Sequence, residues 1–245
     1  MHRIIAGRKP VLEALRAGTT IEKVVFLLGV QGKVMVDIKS LAEQHGVQVI
    51  EAGKQQFREL ANDVTTQGVV AVVPTKEYVD LDDILTIARE RNEQAFILIL
   101  DEVEDPHNLG ALVRTAECAG VHGVVIPRHH AASVSTGAVK ASAGATEHMP
   151  MAEVTNIAAS LQQLKGDGLW VVGLDMGGEK LYTQVDYTTP IAIVVGNEGR
   201  GIRRLVRETC DHLIKIPLYG KLASLNASVA GALVMYEVAK QRRAV

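Results

Sequence analysis

Apolar runs at residues 95–100, 123–126, 169–174, 191–195 and 212–216 alternate with helical hydrophobic patterns at 109–119, 135–143, 156–165, 203–208 and 227–242. This alternation constrains the fold more than any other feature of the chain. Near-continuous apolar strands separated by helix-length segments predict an α/β fold: a mostly parallel sheet with helices on both faces. Ligands of such sheets bind beyond the carboxyl ends of the strands.

Three polar loops lie directly behind three of those runs. They are Asp105-Pro-His-Asn-Leu-Gly-Ala-Leu-Val-Arg114, Gly196-Asn-Glu-Gly-Arg-Gly201 and Ile216-Pro-Leu-Tyr-Gly-Lys-Leu-Ala-Ser-Leu-Asn-Ala-Ser228. If the runs are parallel strands of one open sheet, the loops share an edge and converge on one pocket.

Residues 1–73 read as a separate, smaller α/β domain. It has a helix Pro10–Ala17, a strand Glu22–Leu28, a helix Val34–His45, a strand Val47–Glu51, a short helix Gln55–Leu60 and an apolar run Val69–Val73 that Pro74 ends. Residues 74–90 read as a linker and connecting helix, the polar stretch Pro74–Asp83 leading into a helix Ile84–Glu90. Residues 91–245 form the larger domain.

At 47% hydrophobic residues, the chain has ample material for a core. Aromatics make up only 4%, which favours a grip on phosphate and ribose over extended base stacking if the ligand is a nucleic acid. The net charge of −2 decides nothing by itself, but cations gather at Arg3, Arg8, Lys9 and Arg16, at Arg200, Arg203, Arg204 and Arg207, and at Lys240, Arg242 and Arg243. Cys118 and Cys210 lie far apart, and charged residues interrupt the start of the chain where a secretory signal needs an apolar core. A cytoplasmic protein with reduced thiols, no membrane span and no metal site is expected.

Familiar phosphate-binding motifs are absent. Gly196 to Gly201 has its glycines in the reverse of the dinucleotide spacing, and Leu222 follows Gly220-Lys221 where a P-loop requires Ser or Thr. What the three loops do resemble is the signature set of the SpoU/TrmH family of RNA ribose 2′-O-methyltransferases: Asn108 to Arg114, Gly196-Asn-Glu198-Gly, and Ser224-Leu-Asn226-Ala-Ser228. The likeness is greatest to bacterial members that methylate a guanosine ribose in 23S ribosomal RNA. It extends to Ile5–Leu15, which resembles the start of their small RNA-binding domain, and Thr66 stands where relatives commonly have His.

The resemblance implies S-adenosylmethionine as methyl donor, a trefoil knot of the SPOUT type in the larger domain, an amino-terminal domain similar to ribosomal protein L30e, and a homodimer. It makes residues 1–73 the part that docks 23S ribosomal RNA. It also implies donor contacts at Leu174, Gly196, Ile216, Leu218, Ser224, Leu225 and Asn226, and catalytic roles for Asn108, Arg114, Glu198, Ser224 and Asn226. A transfer-RNA enzyme of the same family and a non-catalytic RNA-binding or ribosome-assembly module are the alternatives; the intact motif residues argue against the latter.

The chemistry gives each polar residue a task. A ribose hydroxyl attacking a methyl group needs a neighbouring cation and somewhere for its proton to go. Arg114, six residues after Asn108 and on the second turn of a helix expected to begin near Leu109, supplies the cation by holding the adjacent phosphate. Glu198 or a phosphate oxygen takes the proton. Asn108 has two available jobs, capping that helix or holding the loops, with Asp105-Pro106 as a competing helix start. Asp101, Glu102 and Glu104 read as turn and edge residues. Ser224, Asn226 and Ser228 surround the start of the last helix; capping explains one of them but not all three, so Ser224 and Asn226 read as site residues and Ser228 as either. Gly231 predicts close packing within that helix, against the donor or a partner subunit.

Overall fold

The computed structural model describes residues 2–61 and 66–243. The first part runs β1 (His2–Ala6), α1 (Arg8–Arg16), β2 (Lys23–Leu27), α2 (Lys33–Gln44), β3 (Gln48–Ala52), α3 (Lys54–Ala61) and β4 (Val69–Pro74). Its four strands form one sheet in the order β1-β4-β2-β3, antiparallel except between β2 and β3. β1 carries no alternating pattern that would announce a strand. It is recruited by β4, which pairs with it from His2↔Pro74 to Ala6↔Val70.

The second part runs α4 (Leu81–Glu90), β5 (Phe96–Asp101), α5 (Pro106–Ala119), β6 (Gly123–Pro127), α6 (Thr136–Ala141), α7 (Ala145–His148), β7 (Met151–Val154), α8 (Ile157–Gly166), β8 (Trp170–Leu174) and β9 (Lys180–Leu181). After a 3-10 turn at Tyr182–Gln184 come β10 (Ile191–Gly196), α9 (Arg204–Thr209), β11 (His212–Lys215) and α10 (Ala227–Arg242). The strands form a seven-stranded sheet in the order β7-β6-β5-β10-β8-β11-β9, and every pairing in it is parallel. The α/β architecture expected from the alternation is therefore present.

Alternate residues of each strand point to opposite faces, so one apolar run serves two cores. Phe96, Leu98, Leu100, Ile193 and Val195 pack with Leu109, Leu112 and Val113 of α5 and Val234, Met235 and Val238 of α10. Ile97, Ile99, Ala192 and Val194 pack on the other face with α4, α8 and Val206 of α9. β5 and β10 lie side by side in the middle and are buried over their whole length. Their carboxyl ends open onto the candidate site.

The smaller sheet and its helices are seated on the larger unit. Arg3 donates two hydrogen bonds to Glu147, at 2.9 and 2.7 Å, and Thr136 Oγ1 donates to the Ile4 carbonyl at 3.0 Å. Ile5, Val11 and Leu15 belong to the same continuous apolar cluster as Val139 and Ala145.

Gly231 has the close neighbour its position predicted, but that neighbour is this chain's own α5. A Cβ at Gly231 would come within 2.5 Å of Leu112 Cδ2, so Gly231 itself serves an intramolecular contact. Among the described residues, no helix is long and apolar enough to cross a membrane.

Candidate active site

α5 starts earlier than expected. Asp105 is the N-cap, its carboxylate accepting from the His107 amide at 2.8 Å, and Pro106 occupies the first turn, where its missing amide hydrogen costs nothing. Asn108 thus lies inside the helix, buried, and the capping role considered for it is ruled out. Its side chain is free for tertiary use. The amide nitrogen donates to Glu198 Oε1 at 2.5 Å, and the amide oxygen accepts from Asn226 Nδ2 at 2.9 Å.

Asn226 is in turn the N-cap of α10. Its Oδ1 accepts from the Ser228 and Val229 amides at 2.9 and 3.3 Å and from the Ser228 hydroxyl at 2.5 Å. Asn226, read as a site residue, is therefore also the cap, and Ser228, read as either, supports it. A relay Glu198–Asn108–Asn226 spans the loop after β10, the first turn of α5 and the start of α10, joining positions 90 and 118 residues apart.

Beside the relay lies a cavity of about 450 Å³. Leu174, Gly196, Ile216, Leu218, Ser224 and Leu225, all assigned to the donor by resemblance, line it together with Glu198. Asn226, also assigned to the donor by resemblance, is the helix N-cap and does not line the cavity. Residues 217–225 make no main-chain hydrogen bond to main chain among the described residues, so amides and carbonyls along this wall remain available to a ligand. Mixed apolar walls and free main-chain groups suit an adenine with a polar tail.

Gly196 is required by close approach. A Cβ there would sit 2.3 Å from the Gly201 carbonyl carbon, across the tight Asn197↔Gly201 bridge. Asn197, which was not singled out from the sequence, builds that turn: its Oδ1 accepts from the Gly199 and Arg200 amides at 2.9 and 3.2 Å, and its Nδ2 donates to the Glu102 carbonyl at 2.9 Å.

Asp101 also departs from expectation. It is no exposed turn residue but is fully buried at the end of β5, accepting from the Arg203 amide and guanidinium at 2.6 to 2.8 Å. Those hydrogen bonds push the Arg203 pKa up and fix the start of α9 against the sheet edge. An acid directly after an unbroken apolar run was the available signal, since a carboxylate there requires a partner.

Arg114 is the one candidate that the chain does not bring to the others. It is exposed on the outer side of α5 and makes no ion pair or hydrogen bond among the described residues. Its helix neighbours Ala111 and Thr115 line a shallow groove with Val229, Leu233 and Tyr236 of α10. Six residues along a helix rotate a side chain well away from the starting face, and Arg114 does not line the cavity beside Asn108. Cys210 is no reactive thiol; burial pushes its pKa up to about 12. Among the described residues no group of three or more His, Cys, Asp or Glu is placed to hold a metal.

A parallel α/β sheet with a glycine-built pocket and a three-loop polar relay at its carboxyl edge defines the class. The SpoU rRNA Methylase family model matches residues 95–236, and the model for RNA 2'-O ribose methyltransferase substrate binding matches residues 4–79. The chain belongs to the SpoU/TrmH family of RNA methyltransferases. It is 43% identical over 244 residues to a putative TrmH family tRNA/rRNA methyltransferase, YacO, of Bacillus subtilis (strain 168), covering 100% of this chain and 98% of the relative. A Staphylococcus haemolyticus relative bearing the same description is 40% identical over 242 residues, 99% of this chain and 97% of its own. Among solved structures, an AdoMet-bound rRNA methyltransferase from Sinorhizobium meliloti superposes with a TM-score of 0.81 at 26% identity, covering 100% of this chain and 88% of that one. The SpoU methyltransferase AviRb of Streptomyces viridochromogenes, in complex with AdoMet, shares the fold with a TM-score of 0.83 at 24% identity, covering 100% and 92%.

Proposed function

We propose that this protein transfers a methyl group from S-adenosylmethionine to the 2′-hydroxyl of a guanosine ribose in 23S ribosomal RNA. The observation that carries the reading is the Glu198–Asn108–Asn226 relay at the rim of a cavity lined by the predicted donor residues. When bound, S-adenosylmethionine supplies an electrophilic methyl group on a sulfonium. The chain's own residues do the rest. Leu218, Ile216 and Leu225 exclude water from an adenine, while the free main chain of residues 217–225 reads its polar edge. Asn108 aims the Glu198 carboxylate, which takes the hydroxyl proton or passes it to a substrate phosphate.

Arg114 holds the phosphate beside the target and stabilises the developing alkoxide. Since it does not line its own cavity, we infer that it is supplied across a homodimer contact made by the α5–α10 groove. Val229, Leu233 and Tyr236 lie exposed there, giving the apolar surface such a contact needs. Residues 1–73 dock the RNA, 74–90 connect, and 91–245 catalyse; the substrate-binding match to residues 4–79 supports this division. From the resemblance we also infer an L30e-like first domain, a trefoil knot towards the end of the chain, and a cytoplasmic location.

Two measurements test the reading. Calorimetry is expected to show one S-adenosylmethionine per chain, and absence of uptake would overturn the assignment. In a tritiated-methyl assay, 23S ribosomal RNA is expected to be labelled and transfer RNA not; the reverse would move the substrate to the other branch of the family. Arg114→Ala is expected to lower turnover at least about a hundredfold with donor affinity unchanged, as for loss of a group acting mainly in the transition state.

A further inference from the structure

The rim of the donor cavity carries side chains that neither the relay nor the apolar wall uses. Tyr219 is 94% exposed and Leu222 82%, the two most exposed large hydrophobic side chains among the described residues. They stand in the loop whose other members Leu218, Ala223 and Ser224 wall the cavity. Lys221 lies between them, and Arg200 and Lys215 line the same cavity. None of these three cations makes an ion pair among the described residues. By contrast the neighbouring Arg203, Arg204 and Arg207 are matched to Asp101, Glu208 and Asp175.

An aromatic ring held in solvent among unmatched cations, at the mouth of a pocket, has the chemistry of single-stranded RNA recognition. The ring stacks on a base of any identity, and the cations meet phosphates. A second protein copy is the poorer occupant, because the centre of a subunit contact is depleted in charge, and the α5–α10 groove already offers a more apolar face. Of the two acids lining this cavity, Glu198 is tied to Asn108, and Asp175 pairs with Arg207 and accepts from the Gly177 amide.

We propose that this loop grips the RNA strand, with the Tyr219 ring stacked on a base adjoining the methylated ribose and Lys221 and Arg200 holding the flanking phosphates. The proposal rests on the methyltransferase reading and adds to it the residues that hold the strand at the site.

Filter binding of fragmented 23S ribosomal RNA, calorimetry with S-adenosylmethionine and light scattering on the full chain test it. Tyr219→Ala is expected to weaken RNA binding about tenfold, the scale of one stacked base, while Tyr219→Phe keeps the ring and the affinity. Lys221→Ala is expected to weaken binding and to reduce its salt dependence by about one phosphate contact. These substitutions leave the main chain of the cavity wall in place, so donor uptake is expected to persist and the oligomeric state to stay as in the wild type. Equal RNA affinity in wild type and Tyr219→Ala, or no RNA binding at all, overturns the grip; so does a change of oligomeric state in Tyr219→Ala, which assigns the rim to a subunit contact. Tyr219-dependent RNA binding without donor uptake upholds the grip while removing the methyltransferase reading, so the two failures are distinguishable.

Discussion

Asn108 shows how much of the site rests on a single amide used from both ends. A carboxylate in its place presents an acceptor to Glu198 where a donor stood at 2.5 Å. Asn108→Asp is therefore expected to cost about 2 kcal/mol, the scale of a hydrogen bond to a charged group. Urea denaturation checks this; a stability equal to the wild type would show that the relay contributes nothing to the fold. His122 makes stability depend on pH. Buried, it accepts from the Phe96 amide through Nδ1 at 3.0 Å and meets Glu93 through Nε2 at 3.0 Å. Burial lowers its pKa, Glu93 opposing in part. The folded state thus binds this proton less readily than the unfolded chain, so its contribution is complete above the ordinary histidine value of about 6.5 and declines as pH falls below it. The slope for one such proton is at most about 1.4 kcal/mol per pH unit, and His122→Gln is expected to remove it from unfolding curves taken between pH 5 and 7.

At the scale of elements, the central strands and their crossover helices were legible because unbroken apolar runs and helical periodicity are local properties. β1, β7 and β9 were not. They are short edge elements whose extended state comes from a neighbour's unpaired main chain, as β7 is taken up along β6 from Val124↔Met151 to Pro127↔Val154. α10 illustrates a second non-local anchor. Arg242, read only as part of a cationic cluster, donates to the carbonyls of Gln94, Ala95, Tyr187 and Thr189 at 2.6 to 3.1 Å and lies 5.2 Å from the Phe96 ring centroid. Its pKa is lowered to about 10 by burial, which leaves it charged at neutral pH. Arg242→Met keeps much of the packing but leaves those carbonyls without their donor. It is expected to cost about 2 kcal/mol and to lower the melting temperature by roughly 4–8 °C in a calorimetric scan, for a chain of this size. A shift of under about one degree would show that water replaces the guanidinium freely.

At the scale of the whole molecule, the proposed dimer decides whether the site is complete. Leu233→Glu combined with Tyr236→Glu places charge on the exposed α5–α10 face. This pair is expected to yield a monomer by light scattering, with donor binding retained and methyl transfer lost along with Arg114. A monomer that still methylates RNA would place Arg114 in its own subunit's site.

Local order in the chain was enough to determine an α/β sheet and the edge on which its polar loops gather, because apolar periodicity is written in neighbouring positions; the residues surrounding the cavity came from the resemblance of the loop motifs to a family. Only the tertiary structure decided that Asn108 is a relay and not a cap, that Asp101 is buried against Arg203, and that Arg114 is exposed and does not line its own pocket. Each depends on which distant groups reach a side chain after the helices settle on the sheet. That is a matter of rotation and burial in three dimensions, to which spacing along the chain gives no access.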